Sequence, residues 1–193
     1  MDTQEKRRQI AKHIHKIVGG TPRFSRYADR REQSFVDIMA IEDKPVEGLN
    51  VYSTVGTSEY SIGLEIEGRP LRVELIIAID KTQRYAPEIL STCAFCIMNS
   101  KYRCRPGAIF KDVVGQFISD SDMKHVLLMD PFLWEEEYCE LKIDGLHIEW
   151  LLVVPISERE RQYAEQYGND ALMDLFEEAD IDVHDLYRES IVS

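Results

Sequence analysis

Three of the four cysteines lie close enough together in the sequence to suggest a metal or redox site. Cys93-x-x-Cys96 has the spacing of zinc ligands and of redox dithiols, and Cys104 follows shortly after. A closed zinc site would need a fourth ligand, which only the distant Cys139 or a histidine could supply. The residues around Cys93 and Cys96 are apolar at helical spacing, so both thiols are expected to lie on one buried helix face. We therefore expect no metal ion, no cofactor and reduced thiols.

The histidines and the carboxylates form no recognisable catalytic motif. There is no Gly-x-Ser-x-Gly nucleophile elbow and no Gly-x-x-x-x-Gly-Lys phosphate loop. The run Glu135-Glu136-Glu137 could do acid–base chemistry in a cleft, but three adjacent carboxylates are more typical of a solvated surface. The sequence therefore assigns no catalytic residue and predicts that the chain is not an enzyme. The histidines, which share no ligand spacing, are His13, His15, His125, His147 and His184.

Charge is distributed unevenly along the chain. The net charge is −12, yet residues 1–35 hold nine Lys/Arg and four Asp/Glu, while residues 130–193 hold four Lys/Arg and eighteen Asp/Glu. An acidic surface repels phosphates, so nucleic acid is not an expected partner. It suits a basic partner protein, because opposite potentials accelerate encounter. The alternative reading is that these acids only keep the protein in solution.

A predicted hairpin lies at the centre of the C-terminal region. Its strands are Tyr138–Ile143 and Leu146–Val154, and Asp144-Gly145 between them favours a type I′ turn. The second strand is apolar on both faces, which predicts a central strand covered on both sides. Pro155 cannot donate a ladder hydrogen bond and is expected to end that strand.

Two helices are predicted after this hairpin. Ser157-x-x-Glu160 is a capping box, in which the side chains of both residues accept backbone hydrogen bonds at a helix start. The first helix should stop near Gly168, and Asn169 or Asp170 can cap the second.

The N-terminal half begins with an amphipathic helix capped by Asp2-x-x-Glu5, followed by a polar and irregular stretch at residues 21–33. Pro87 suits the first turn of another helix running to about Ser100. The fold class is therefore α+β: a single domain with a mostly antiparallel mixed sheet flanked by helices, in which residues 1–34 pack on a domain of residues 35–192. Six further strands are predicted, at Phe35–Ile41, Leu49–Val55, Tyr60–Glu67, Leu71–Asp80, Ala108–Val114 and Met123–Met129.

Several stretches along residues 35–192 together resemble the suppressor-of-fused (SUFU-like) family. The C-terminal pieces are the most specific, and Thr57 departs from the apolar residue expected after Gly56. The matching stretches are Val51–Gly56, Arg72–Leu75, Pro106-Gly107, Val153–Ser157 with Glu160, Tyr167-Gly168, Ala171-Leu172, Leu175-Phe176, Ile181–Val183 and Arg188.

This resemblance implies a function in binding. Short bacterial members of the family are immunity proteins, and the chain is similar to an antitoxin that neutralises an LXG-type polymorphic toxin. The implied partner is a cognate toxin with a basic, nuclease-like domain, held stoichiometrically in the cytoplasm. The carboxylates expected to contact it are Glu135, Glu136, Glu137, Glu177, Glu178, Asp180, Asp182 and Asp185.

Two other functions remain open at the level of sequence. One is a general peptide- or protein-recognition module, an adaptor or regulator whose exposed sheet edge accepts an added strand. The other is an uncharacterised enzyme with a cleft of acids and histidines. No apolar run approaches the length of a membrane span, and the N-terminus lacks an apolar signal core, so neither a membrane nor secretion is expected.

Overall fold

A mixed β-sheet with helices on both faces organises the chain. The computed structural model describes residues 1–100, 104–134 and 140–193. Its helices are α1 (Thr3–Val18), α2 (Ala86–Ser100), α3 (Glu158–Tyr167) and α4 (Asn169–Glu178). Its strands are β1 (Arg23–Ala28), β2 (Phe35–Ile41), β3 (Leu49–Val55), β4 (Glu65–Ile66), β5 (Arg69–Asp80), β6 (Ile109–Phe110), β7 (Met123–Met129), β8 (Glu140–Ile143) and β9 (Leu146–Ser157).

The described strands pair in the order β1-β2-β3-β5-β9-β7-β6, with β4 beside β5 and β8 beside β9. All of these pairings are antiparallel except the one between β5 and β9, which is parallel. The predicted fold class, α+β with a mostly antiparallel mixed sheet flanked by helices, is confirmed.

Each face of the sheet carries its own apolar core. On one face, α2 covers the strands, and Cys93 and Cys104 are buried there among aliphatic side chains. Cys96 is half-buried against the same core, as the helical spacing predicted. On the other face, buried residues of α1 and of α4 belong to one core that also contains Trp150, which is 1% exposed.

Strand β9 is central, as its apolar faces predicted, because β5 and β7 flank it. The hairpin turn is also confirmed, since Asp144 (φ 53°) and Gly145 (φ 75°) both have positive φ. The prediction that Pro155 ends the strand is wrong, because β9 continues to Ser157. Pairing with β5 stops at Leu152, and the Pro155 carbonyl accepts a hydrogen bond from Arg188 Nη2 at 2.9 Å. Pro155 still pairs with Val126 of β7, so the strand carries the missing N–H on the side where pairing with β5 has ended.

The stretch at 21–33 was predicted to be irregular, and this is wrong for residues 23–28, which form β1. All six of these residues pair with β2. Five of the six are exposed and only Tyr27 packs against the core, because β1 is an edge strand. The apolar alternation that marks a half-buried strand is therefore absent. The proposed boundary between residues 34 and 35 stays a prediction.

Two of the predicted strands are much shorter in the structure, with two residues each. Within Tyr60–Glu67 only Glu65–Ile66 pairs, and within Ala108–Val114 only Ile109–Phe110 does. The first stretch bends at Gly63 (φ 72°) while Ile62 is buried in the core under α2. Asp112, with φ 56°, turns the second stretch away from the sheet. The alternation of apolar residues therefore predicted correctly which side chains are buried. It predicted wrongly how many residues pair with a neighbouring strand.

A fully buried carboxylate holds the turn after β3. Glu74 on β5 is 0% exposed and accepts five hydrogen bonds, three of them from backbone N–H groups. Burial raises the pKa of Glu74, while the hydrogen bonds from Ser58, Thr54 and the backbone oppose that rise. Removing either the carboxylate or its donors would leave unsatisfied polar groups inside the protein.

Helix α1 docks beside this turn. Asp2 caps the helix as predicted, accepting from the Glu5 N–H at 2.8 Å. From the first turns Arg7 reaches across to Glu59, at 2.5 Å from Nε to Oε1, and to Asp37, at 2.9 Å from Nη1 to Oδ2. The N-terminal helix is therefore attached to the domain by ion pairs as well as by its apolar face.

Candidate partner-binding surface

The carboxylates predicted to contact a partner fall into three groups in the structure. Glu177, Glu178 and Asp180 lie exposed at and just beyond the C-terminal end of α4. Their carboxylates make no hydrogen bond or ion pair with any described residue. Asp182 and Asp185 follow in the tail, while Glu135–Glu137 lie outside the described residues.

The two tail aspartates stabilise the chain itself. Asp182 accepts a hydrogen bond from the His184 N–H at 2.9 Å. Asp185 accepts from the Tyr187 N–H at 2.8 Å and from Gln83 Nε2 at 2.7 Å. Asp185 is therefore occupied in docking the tail, and its assignment to the partner surface is the weakest of the set.

A groove of about 610 Å³ lies beside the C-terminal end of α4. One wall is α4 with the residues that follow it, and the other is the turn at residues 130–134, which follows β7. Asp174, Glu177 and Asp180 line it together with apolar side chains. The apolar lining is formed mainly by Met129, Phe132, Leu133, Met173 and Phe176.

The C-terminal end of α4 fixes the position of Asp180. The Ile181 N–H bonds to the Phe176 carbonyl at 3.2 Å, and the Asp180 N–H bonds to the Glu177 carbonyl at 3.2 Å. These two bonds make a Schellman motif, and Asp180 (φ 46°) occupies the left-handed position that glycine usually takes. Aspartate tolerates this conformation better than most side chains do.

The charges at this helix end oppose helix stability. Glu177 and Glu178 are the last two residues of α4, and its last turn holds no basic residue. Carboxylates near a helix C-terminus face the negative end of the helix dipole, which costs about 0.3–1 kcal/mol each. An arrangement that disfavours the fold is typical of functional sites.

The opposite wall is a short turn. The Phe132 N–H bonds to the Asp130 carbonyl at 2.8 Å, and the Trp134 N–H bonds to the Pro131 carbonyl at 3.1 Å. Leu133 and Trp134 pack against the same core as α4. Phe132 is 55% exposed. In the sequence this apolar stretch leads directly into Glu135–Glu137.

Sequence reasoning missed the apolar half of this surface. It singled out carboxylates by their charge and left Phe132, Leu133 and Met173 unassigned. The available signal was Pro131-Phe132-Leu133-Trp134, an apolar run directly before an acidic one. From the sequence alone, such an apolar run could be buried in the core or exposed at a binding surface. The structure shows that Phe132 is exposed while Leu133 and Trp134 pack against the core.

The C-terminal tail supports the groove from behind. Arg188 forms two hydrogen bonds with the Glu160 carboxylate, at 2.6 Å and 2.9 Å, and its guanidinium carbon lies 5.4 Å from the centre of the Phe176 ring. Glu160 also completes the predicted capping box with Ser157. Residues of the family resemblance thus meet beneath the groove.

The predicted cap of α4 is wrong, since the Asn169 side chain donates to the Gly107 carbonyl at 2.9 Å instead.

The described histidines that have hydrogen-bond partners serve the fold. His125 Nδ1 accepts from the Asp112 N–H at 2.8 Å, and its Nε2 lies 2.7 Å from Glu158. His184 Nδ1 lies 2.9 Å from the Ala78 carbonyl, which joins the tail to β5. Residues 1–100, 104–134 and 140–193 contain no group of three or more histidines, cysteines or acids placed to hold a metal ion.

A Ser-x-x-Lys spacing, Ser121 to Lys124, does not form a nucleophile–base pair. The Ser121 hydroxyl donates to the Leu186 carbonyl, and Lys124 Nζ donates to the Ser119 carbonyl at 2.9 Å. Both side chains are therefore engaged with backbone carbonyls.

A second, larger groove of about 1140 Å³ lies on the other face of the sheet, beside α2. Arg30 and Arg31 line it and form no ion pair within the described chain. Asp29 and Glu88 line it as well and balance the two arginines, whereas no lysine or arginine lines the groove beside α4. The larger groove therefore lacks the excess of acids that would favour a basic partner.

Among the described residues, no helix has both the length and the apolar character needed to cross a bilayer.

Three relatives resemble the chain along nearly its whole length. The immunity protein YqcF of Bacillus subtilis (strain 168) is 41% identical over 192 residues, which is 100% of both chains. The crystal structure of a SUFU homolog from Neisseria gonorrhoeae FA 1090 has a TM-score of 0.76 at 17% identity, covering 98% of both chains. A chain of the Sufu–Fu complex has a TM-score of 0.65 at 13% identity, covering 96% of this chain and 91% of that one.

The match to a family as a whole covers most of the fold. Residues 32–189 match the family described as Suppressor of fused protein (SUFU). This span runs from just before β2 to just past Arg188, so it includes the sheet from β2 onward, the groove beside α4 and the tail that supports it. The chain belongs to the suppressor-of-fused family.

Proposed function

We propose that this chain is an immunity protein that binds a cognate LXG-type toxin in the cytoplasm and neutralises it stoichiometrically. The observation that carries the proposal is the 41% identity to the immunity protein YqcF along the full length of both chains. At that identity and coverage, the surface that acts in one protein has a counterpart in the other. The resemblance to an LXG antitoxin, drawn from the sequence, supplies the toxin class.

The acidic surface supports a basic toxin domain, and we propose a nuclease. A nuclease must bind a phosphate backbone and therefore presents a basic cleft. The free carboxylates Glu177, Glu178 and Asp180 would oppose that cleft, steer association and form charge-assisted hydrogen bonds. Glu135, Glu136 and Glu137 are included in the proposed surface because they follow the turn that forms one groove wall.

The proposed mechanism is occupation of the toxin rather than turnover. Binding in the cleft would exclude nucleic acid, with one immunity chain consumed for each toxin molecule. The protein would reach a toxin before damage occurs if association approaches the electrostatically steered range of about 10⁸ M⁻¹s⁻¹. No cofactor enters this mechanism.

Co-expression tests the proposal directly. The chain is expressed in cells that also express the toxic domain encoded by the adjacent LXG gene, and growth is followed. We expect rescue of growth, a one-to-one complex by titration calorimetry, and loss of DNA or RNA cleavage by the purified toxin. Unrelieved toxicity together with no heat of binding would refute the immunity role.

The same experiment separates the finer claims. Rescue of growth from a toxin that cleaves neither DNA nor RNA would support the immunity role. It would refute the proposal that the toxin is a nuclease. Binding to a short peptide without any rescue would favour a recognition module of the adaptor type.

A further inference from the structure

We propose that the groove beside α4 is the anchor pocket for the toxin, and that it accepts one large apolar side chain flanked by lysine or arginine. This inference rests on the proposed immunity function and names the surface that performs it. The proposed pocket depends on more than its negative charge, because the apolar residues of the groove supply most of the contact with the toxin.

The groove has the size and lining of a binding pocket. Its volume of about 610 Å³ falls within the range of about 300–1,000 Å³ that is typical of ligand pockets. Met129 and Met173 contribute unbranched, adaptable side chains to the lining. Phe132 stays 55% exposed at the rim, although an apolar ring gains by being covered.

Both walls of the groove are held in place before any partner arrives. The Schellman motif fixes the end of α4, and Arg188 packs against the Phe176 ring from the tail side. Backbone hydrogen bonds close the turn that carries Phe132. A pocket with fixed walls loses little conformational entropy on binding, which favours affinity.

Charge identifies the occupant. The carboxylates of Asp174, Glu177 and Asp180 line the groove and make no hydrogen bond or ion pair with any described residue. An apolar side chain that enters between them brings its neighbours against three negative charges, which selects lysine or arginine at those positions. A second copy of this chain is a poor occupant, because each copy carries a net charge of −12.

The apolar and acidic parts should act on different rate constants. Truncating an apolar anchor accelerates dissociation, whereas removing rim charges slows association and reduces its dependence on salt. This division gives two independent signatures of one site.

The test measures association and dissociation of the purified chain with the toxic domain of the adjacent LXG gene. Phe132→Ala is compared with Phe24→Ala, because Phe24 on β1 is 53% exposed and lies at the far edge of the sheet. The pair Glu177→Gln and Asp180→Asn is compared with Glu47→Gln and Asp120→Asn. Both control acids are exposed and lie away from the groove. Asparagine is chosen at 180 because it tolerates the left-handed conformation.

We expect Phe132→Ala to raise Kd at least tenfold through faster dissociation, and Phe24→Ala to leave Kd within twofold. The groove carboxylate pair should slow association at least threefold at low salt, and the control pair should leave it unchanged. No variant should melt below the unmodified chain, because each changed side chain is exposed, and Glu177→Gln removes a charge that opposes the helix dipole.

The outcomes separate this inference from the proposed function. If the unmodified chain binds and rescues while Phe132→Ala and Phe24→Ala bind alike, the groove is not the anchor and the immunity role stands. If the chain alone forms a dimer that Phe132→Ala disrupts without changing toxin binding, the occupant is a second copy and the inference is overturned. Failure of the unmodified chain to bind or rescue would refute the immunity role, and the inference with it.

Discussion

Arg188 and Glu160, 28 residues apart, form a bidentate ion pair that joins the C-terminal tail to the start of α3. Glu160 is 0% exposed and Arg188 is 8% exposed. The same carboxylate accepts from the Ser157 N–H at 2.8 Å and from the Ile191 N–H at 3.2 Å. The buried Glu160 carboxylate thus accepts hydrogen bonds from a backbone N–H at the start of α3, from a backbone N–H of the tail and from the guanidinium of Arg188.

Breaking this pair should destabilise the whole domain. Arg188→Met leaves the Glu160 carboxylate buried without its cation, which is expected to cost about 3–5 kcal/mol in the free energy of unfolding. Urea denaturation measures the loss. The control is Arg159→Met, because Arg159 is exposed and makes no ion pair among the described residues. Equal stability of the two variants would show that the pair is not structural.

The attachment of α1 should depend on pH through Asp37. Burial raises the pKa of Asp37, but hydrogen bonds and charge from Arg26 and Arg7 outweigh burial, so its pKa lies below the usual value. A lowered folded-state pKa contributes stability that is present above the unfolded pKa and is lost as pH falls through the folded one. Asp37→Asn should therefore cost about 1 kcal/mol at pH 7, and progressively less below about pH 4.

The matched control for Asp37 is Glu42→Gln. Glu42 pairs with Arg23 at the surface, where the two side chains are 59% and 73% exposed. Such a pair contributes little, so the free energy of unfolding should change by less than about 0.5 kcal/mol at any pH. A loss for Asp37→Asn that stays constant from pH 7 to pH 3 would contradict the assignment.

Charge reversal at the end of α4 should alter toxin association rather than the fold. The double variant Glu177→Lys and Glu178→Lys places cations at the negative end of the helix dipole, so stability should hold or rise. Association with a basic toxin should slow by about tenfold or more at low salt, and its dependence on ionic strength should weaken. Stopped-flow mixing at several salt concentrations measures both, and unchanged kinetics would remove these residues from the interface.

Asp185→Asn should give the opposite pattern to that charge reversal. Its carboxylate receives hydrogen bonds from Tyr187 and Gln83 and holds the tail. The free energy of unfolding should fall by about 1 kcal/mol, while the association rate measured by stopped flow stays within twofold. A large change in association without a change in stability would return Asp185 to the partner surface.

The cysteines should react in order of their burial. Burial raises the pKa of Cys104 to about 12 and that of Cys93 well above its usual value. Only the thiolate reacts with iodoacetamide, so at pH 8 both should stay unmodified in the native protein. Burial raises the pKa of half-buried Cys96 as well, but among the three described cysteines its accessible thiol should react first. Peptide mass spectrometry follows each residue, with the urea-unfolded chain as control. Rapid native labelling of Cys104 would contradict its placement.

Local chemistry was predictable from the sequence wherever it depends on a few neighbouring residues. The Asp144-Gly145 turn, the capping box of Ser157 and Glu160, and the cap at Asp2 all formed as expected, because their partners lie within four residues. The family resemblance was likewise sufficient to identify the fold. These parts needed no knowledge of tertiary contacts.

The remainder depended on contacts between distant segments. Strand β1 lacked alternation because it is an edge strand with only Tyr27 against the core. Pro155 was tolerated because the pairing of β9 with β5 stops at Leu152. The groove could not be predicted, since its walls come from the turn at Phe132 and from α4, more than thirty residues later. Charge pointed to the end of α4 without indicating the apolar groove beside it.

The parallel pairing of β5 with β9 has a consequence for biosynthesis. Among the described strands, this is the one pairing that joins the antiparallel half formed by β1, β2, β3 and β5 to the antiparallel half formed by β6, β7 and β9. It pairs residues 71–76 with residues 147–152. A ribosome that adds about 5–20 residues per second needs on the order of 4–15 s to proceed from the end of β5 to the end of β9. During that interval the nascent N-terminal half exposes an unpaired strand edge, which makes chaperone capture favourable. Because α4 follows β9 in the chain, the groove beside α4 can form only after the last strand has emerged.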